Sequence, residues 1–153
     1  MGEEQSFTIS IPADNEGYVL LKCPKCSELF KLRPFEFKQD SVFDIYCPCC
    51  GLVSDSYITE DVLELAQTMI GNYFSDMFDR EIKKIERQTR NSMLQVKVKN
   101  KTRKKKEMPI MLTVETLDEK LYLCCKKTAK IKPIIKMSGS YCPYCGVIDY
   151  GIE

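Results

Sequence analysis

Two six-residue stretches carry the clearest chemistry in the chain: Tyr46 to Gly51, Tyr-Cys-Pro-Cys-Cys-Gly, and Tyr141 to Gly146, Tyr-Cys-Pro-Tyr-Cys-Gly. In each, two cysteines stand three positions apart, with Pro after the first and Gly after the second. The Pro fixes φ where the turn begins and the Gly permits φ > 0 where it ends, so two thiolates and several backbone N–H groups can converge on one cation. That is the form of a zinc knuckle, and its repetition reads as one metal module built twice.

Cys23-Pro24-Lys25-Cys26 supplies the partner of the first stretch and completes the pattern C-x2-C-x20-C-x2-C with Cys47 and Cys50. This spacing is among the more specific signals a sequence can carry for a metal site. Cys49 lies outside the pattern, as a spare buried or surface thiol. Nine cysteines in a chain whose opening, Met-Gly-Glu-Glu-Gln-Ser, shows no export signal favour metal thiolates over disulfides. The chain contains no histidine, so a metal site must be all-thiolate or borrow a carboxylate. Acid–base, nucleophilic and zinc chemistries that depend on histidine are excluded, and a non-enzyme is expected.

The second copy departs from the first at its entry. In place of C-x2-C stands Cys124-Cys125, followed after 16 residues by Cys142 and Cys145. Aligning Cys125 with Cys26 also aligns Lys130-Ile131 with Lys31-Leu32, and puts Tyr122 where Cys23 stands in the first copy. Three readings follow: both adjacent cysteines ligate through an irregular turn, one ligates with another residue completing the site, or the copy has lost its metal. Adjacent residues of a strand face opposite ways, which argues against the first. The supply of thiolates, with no histidine in reserve, argues for it, and the expected ligands are Cys124, Cys125, Cys142 and Cys145. Without a metal, Pro133, Ile134, Ile135 and Met137 would have to supply the core.

Cys23-Pro-Lys-Cys26 and Cys47-Pro-Cys-Cys50-Gly51 resemble the zinc ribbon family, in particular the transcription factor IIB-type ribbons, over roughly residues 17 to 54. The resemblance implies two knuckles clamping one Zn²⁺ above a short antiparallel sheet, with Cys23, Cys26, Cys47 and Cys50 as ligands. Ribbons of this kind serve DNA, RNA and protein contacts alike.

The elements that would position these cysteines follow from periodicity. Phe7 to Ile11 alternates as a strand and Pro12 ends it; Asp14 to Gly17 reads as a turn, and Tyr18 to Leu21 as a strand entering the first knuckle. Phe30, Leu32, Phe35 and Phe37 read as strand-borne core, and Val42 to Tyr46 returns to Cys47. From Thr59, a plausible N-cap, to about residue 92 the spacing predicts one helix of about 50 Å. Its apolar positions, Val62, Ala66, Met69, Tyr73 and Met77 with Leu63, Ile70, Phe74, Phe78, Ile82 and Ile85, cover more than one face, and Gly71 weakens it mildly. Met111 to Leu123 repeats the ribbon entry, with Leu112, Val114, Leu121 and Leu123 around a turn at Asp118-Glu119-Lys120. The expected fold is a small α+β metal-stabilised protein: an N-terminal zinc ribbon (1–58), a connecting amphipathic helix (59–92), a basic linker (93–110) and a C-terminal ribbon-like module (111–153), holding two Zn²⁺.

Charge divides the chain. The net charge is +1, yet residues 1–82 carry 6 basic and 15 acidic side chains, residues 83–106 carry 11 and 1, and the remainder is balanced. The run Asn100 to Lys106 has no apolar anchor and reads as a mobile segment. It has no aromatic residue for base stacking either, so contacts would be to phosphates rather than bases. Lys97, Lys99, Lys101, Arg103, Lys104, Lys105 and Lys106 are the candidate residues for binding DNA or RNA. The alternative is an adaptor or accessory subunit that meets a protein partner, or a second copy, through the helix between 62 and 85. Redox or rubredoxin-like iron chemistry at the thiols is a third reading. No apolar run reaches the length needed to span a membrane, so a cytoplasmic protein is expected, nuclear if eukaryotic, with no small-molecule substrate.

Overall fold

The computed structural model describes residues 6–99, 103–110 and 116–151. It is a small α+β protein of antiparallel strands and one long helix. The chain forms two compact units: one holds the chain up to Glu60 and again from Ile110, the other residues 61–109.

The first unit is built on a four-stranded antiparallel sheet in the order β1-β2-β4-β3. The strands are β1 (Val19–Lys22), β2 (Leu29–Leu32), β3 (Asp118–Tyr122) and β4 (Lys127–Ile131). Each copy of the cysteine module contributes one hairpin. In the first Leu20 faces Lys31, and in the second Glu119 faces Lys130. The hairpins join where Lys31 faces Lys130, so equivalent residues of the two copies meet at the seam. The sequence suggested two modules held apart by a spacer, whereas the strand pairing makes one sheet of them.

Each hairpin runs into a short helix through an X-Pro step. Pro34 opens α1 (Pro34–Phe37) and Pro133 opens α3 (Pro133–Ser138), each after an extended residue, Arg33 or Lys132. Proline is suited to the first helical position because its φ is preset and an N–H there would have no partner. Phe35 and Phe37 therefore ride on a helix rather than the expected strand. A two-stranded sheet, β5 (Ser140–Tyr141) with β6 (Ile148–Asp149), brackets the last cysteine turn. Its counterpart in the first copy is a single bridge, Tyr46 to Val53.

Two further expectations fail for identifiable reasons. Phe7 to Ile11 is not a strand. The Asp14 N–H reaches the Tyr18 carbonyl at 2.8 Å, and the next rung of that ladder would need the N–H of residue 12, which is Pro12. Asp118-Glu119-Lys120 is not a turn but the start of β3, because pairing with β4 overrides the polar composition. Leu112 and Val114 lie outside the described residues.

The core of this unit gathers Phe30, Leu32, Tyr57, Tyr122, Ala129, Ile131 and Ile135 with Cys23, Cys47 and Cys142 from the cysteine turns. Of the C-terminal residues expected to be able to fill a core, Ile135 is buried, while Ile134 and Met137 are exposed. At the sheet seam Asp14 Oδ2 lies 3.2 Å from both Lys31 Nζ and Lys130 Nζ. Lys130 and Arg33 also lie over the Tyr18 ring, so the seam's excess positive charge is met from both sides.

The second unit is α2 (Glu60–Thr89) with the segment that follows it. At 30 residues α2 is about 45 Å long. The segment turns back along the helix. Val96 N–H reaches Thr89 Oγ1, Val98 N–H reaches Glu86, Lys104 pairs with Asp76 at 2.7 Å, and Asn72 exchanges two hydrogen bonds with the Lys105 backbone. The basic segment, expected to be mobile, is thus laid antiparallel along one polar side of α2 over its described residues. No described helix is long and apolar enough to cross a membrane.

Candidate metal centres

Cys23, Cys26, Cys47 and Cys50 form one cluster, and Cys124, Cys125, Cys142 and Cys145 another; within each, all four Sγ atoms lie within 4.8 Å of one another. The turns that aim them are the same in kind. Cys47 N–H donates to the Leu52 carbonyl and Gly51 N–H to the Cys47 carbonyl, at 3.0 and 2.8 Å. Cys142 N–H to Val147 and Gly146 N–H to Cys142 repeat this at 2.8 Å each. Both closing glycines have positive φ, 69° and 73°.

Backbone N–H groups also point at the sulfurs. Cys47 Sγ accepts from the amides of Cys49 and Cys50, Cys142 Sγ from those of Tyr144 and Cys145, and Cys23 Sγ from those of Lys25 and Cys26. The first amide after each of these cysteines belongs to a proline, which donates nothing, so the turn uses only the amides that can reach.

At the entry of the second centre Tyr122 takes the place of Cys23. It is fully buried, and its hydroxyl donates to Ser140 Oγ at 2.9 Å. The displaced ligand position is filled from Cys124. The reason the adjacent cysteines can converge is local: residues 123–126 form a turn, not a strand, so alternation across a sheet does not apply. The turn closes on Lys126 with φ 53°, matching Ser27 with φ 61° in the first copy. The first copy's geometry survives while its first ligand moves along the chain.

The donor set fits a tetrahedral metal. With metal–sulfur bonds of about 2.3 Å, the edges of a tetrathiolate tetrahedron are about 3.8 Å. The observed Sγ separations are 3.8 Å for Cys23–Cys50, 3.5 Å for Cys26–Cys47 and 3.5 Å for Cys124–Cys145. Burial pushes the thiols of Cys47 and Cys142 far above the ordinary range, and those of Cys26 and Cys125 to about 11. For Cys23 and Cys145 burial acts the same way, but hydrogen bonds from amides and from the neighbouring thiols together outweigh it and hold them below the ordinary value. Four thiolates crowded this closely repel one another, and a divalent cation at their centre removes that cost.

The two centres differ in cover. Cys23 and Cys47 are buried in the first, whereas only Cys142 is buried in the second, where Cys124 and Cys145 are exposed. Cys49 is exposed beside the first centre.

Two supporting residues left no sequence signal. Tyr57 closes over the first centre: its hydroxyl donates to the Ile45 carbonyl at 2.6 Å, accepts from Ser54 N–H at 3.0 Å, and its ring meets Phe30 edge-on. Tyr144, inside the second cysteine turn, carries its hydroxyl to 2.6 Å from the Thr128 carbonyl and 2.9 Å from the buried Glu36 carboxylate. Cys49 holds the equivalent place in the first turn and reaches outward instead.

Of the candidate nucleic-acid residues, Lys97, Lys99, Arg103, Lys104, Lys105 and Lys106 are exposed on the segment along α2, and Lys101 lies outside the described residues. Compared with protein-family models, curated proteins and solved structures, the chain matches none. It is a protein with two four-cysteine clusters, each able to hold a metal ion.

Proposed function

We propose that the protein is a non-catalytic zinc-binding protein whose two centres are tandem zinc ribbons, the second atypical, and that it contacts nucleic acid through the basic segment along α2. Zinc is favoured because it accepts four thiolates tetrahedrally without ligand-field preference. Four protein ligands leave no open position for a bound water, so each ion is structural.

The observation that carries the nucleic-acid reading is the way the cations are displayed. The backbone N–H groups of Lys105 and Val98 donate to the Asn72 and Glu86 side chains and hold the segment against the helix, so Lys97, Lys99 and Arg103 to Lys106 stand exposed along a track instead of on a loose tail. Holding cations in place before binding lowers the ordering cost of meeting a polyanion. Lys104, paired with Asp76, would exchange one anion for another. Phosphate contacts of this kind are insensitive to sequence and weaken as salt rises.

The test is binding of the zinc-loaded protein to labelled duplex DNA and single-stranded RNA over a salt series. Four to six phosphate contacts predict a slope of log K against log salt of roughly −3 to −5. Replacing Lys97, Lys99, Arg103, Lys104, Lys105 and Lys106 by Gln should abolish binding. An unchanged affinity and slope in that variant would remove the proposal.

A further inference from the structure

Within this unit the described residues of the basic segment run along one polar side of α2, and another side carries exposed apolar side chains. Leu63, Ile70, Phe74, Met77, Phe78 and Ile85 are each between 40 and 60 % exposed. At 100° per residue they fall on the helix side opposite Asn72 and Asp76, which hold the segment around Lys104 and Lys105; at the helix end Thr89, which Val96 reaches, lies beside Ile85. A stripe of this length in water is uncommon without a partner.

Its spacing is self-complementary. Leu63, Ile70, Phe74, Phe78 and Ile85 are spaced seven, four, four and seven residues apart, symmetrically about Phe74. If a second copy of α2 lies antiparallel with Phe74 at the two-fold axis, Leu63 falls level with Ile85 of the other copy, Ile70 with Phe78, and Phe74 with itself. A two-fold interface requires this kind of self-matching of one surface. The charges agree along the axis. Asp61 and Glu64 of one copy fall level with Arg87 and Lys84 of the other, and the two helix dipoles oppose. The six side chains expose on the order of 500 Å² per copy, so the pair would bury about 1,000 Å², the lower edge of specific interfaces.

We propose that the protein is an antiparallel homodimer through this face of α2. The inference does not rest on the nucleic-acid reading, since Lys104 and Lys105 are held by Asp76 and Asn72 on the other side of the helix. It does double that segment, placing two cationic tracks on one particle.

The experiment is the mass of the zinc-loaded full chain in solution, by light scattering and sedimentation across micromolar concentrations. The native chain should give about twice its 17.7 kDa. Phe74→Glu should give a monomer of unchanged helix content, while Phe35→Glu, at a still more exposed apolar site in the other unit, should leave the dimer intact. Orientation is tested by charge pairing: Leu63→Glu and Ile85→Lys should each weaken the dimer at least about tenfold, and the two together in one chain should restore it. In a parallel pair the double variant would set Glu against Glu and Lys against Lys, and no rescue would follow. A native chain that is monomeric throughout, as it would be if another protein covers this face, or a Phe74→Glu chain that stays dimeric, would overturn the proposal. So would a double variant that is not rescued.

Discussion

The ring of Tyr141 fills the space where a Cβ on Gly51 would stand, leaving 2.8 Å to its nearest carbons, and the ring of Tyr46 does the same at Gly146. The exchange is completed by the backbone, since Tyr46 N–H donates to the Pro143 carbonyl and Tyr141 N–H to the Pro48 carbonyl, both at 2.9 Å. Each cysteine turn is thus braced by the tyrosine that precedes the other. Ala at position 51 or 146 would meet the aromatic ring of a residue whose backbone is hydrogen-bonded in place, at a φ that L side chains rarely adopt. Each substitution is expected to cost about 2–4 kcal/mol. Thermal melts of the metal-loaded variants check this, and equal losses at both positions are the expected signature of reciprocal bracing.

Asp14 should matter more than its place near the chain's start suggests. Burial works against its charge, but hydrogen bonds from Tyr18 N–H, Lys130, Lys31 and Glu16 N–H outweigh it and lower its pKa to about 2. Because folding lowers the pKa, the stabilisation is fully present above about pH 4 and lost as the pH falls towards 2. Asp14→Asn is expected to lose about 2 kcal/mol at pH 7. The gap from the native chain, measured by urea unfolding, should stay constant between about pH 5.5 and 8; a gap that changes across that range would assign the effect to another group.

Tyr144→Phe removes a hydroxyl that serves the Thr128 carbonyl and the Glu36 carboxylate in a buried place. The expected loss is about 1–3 kcal/mol, because a polar group is left without its partner. Tyr150→Phe, at an exposed ring, should cost nothing measurable.

The two centres should release metal in order. With Cys124 and Cys145 exposed, a chelator reaches the second centre at two ligands, whereas in the first Cys26 alone is exposed and both Cys23 and Cys47 lie in the core. Challenge with a chromogenic chelator should give two phases of equal amplitude. Cys124→Ser should delete the fast one and Cys23→Ser the slow one. Loss of both phases in Cys124→Ser would mean that the centres do not hold metal independently.

Gly71 sits inside α2 with open space where its Cβ would be. Gly71→Ala should stabilise the helix by about 0.5–1 kcal/mol, seen as slower amide exchange along α2.

What the sequence made legible and what it hid divide along physical lines. The cysteine spacing, the Pro and Gly that shape each turn, and the 3.6-residue period of α2 are local signals, and they placed the clusters and the helix within a few residues. The alignment of Tyr122 with Cys23 also came from sequence. That Cys124 and Cys125 face one point was expected from the supply of thiolates, but the turn that achieves it was not legible, because it depends on a left-handed residue, Lys126, that no residue preference announces. The pairing of β2 with β4 is between residues far apart in the chain, and Lys31 facing Lys130 has no local signature. Phe35 and Phe37 misled because their alternation is a strand's, while Pro34 just before them starts a helix. The basic segment read as mobile because its partners, Asn72, Asp76 and Glu86, are on a helix whose apolar positions drew all the attention.

Metal content and coordination test the central claim most directly. X-ray absorption of the purified full chain, with the metal quantified against protein, should give two zinc ions per chain, each with four sulfur neighbours at about 2.3 Å, and one ion in Cys124→Ser. One ion in the native chain, or an average shell containing oxygen, would contradict the second tetrathiolate centre.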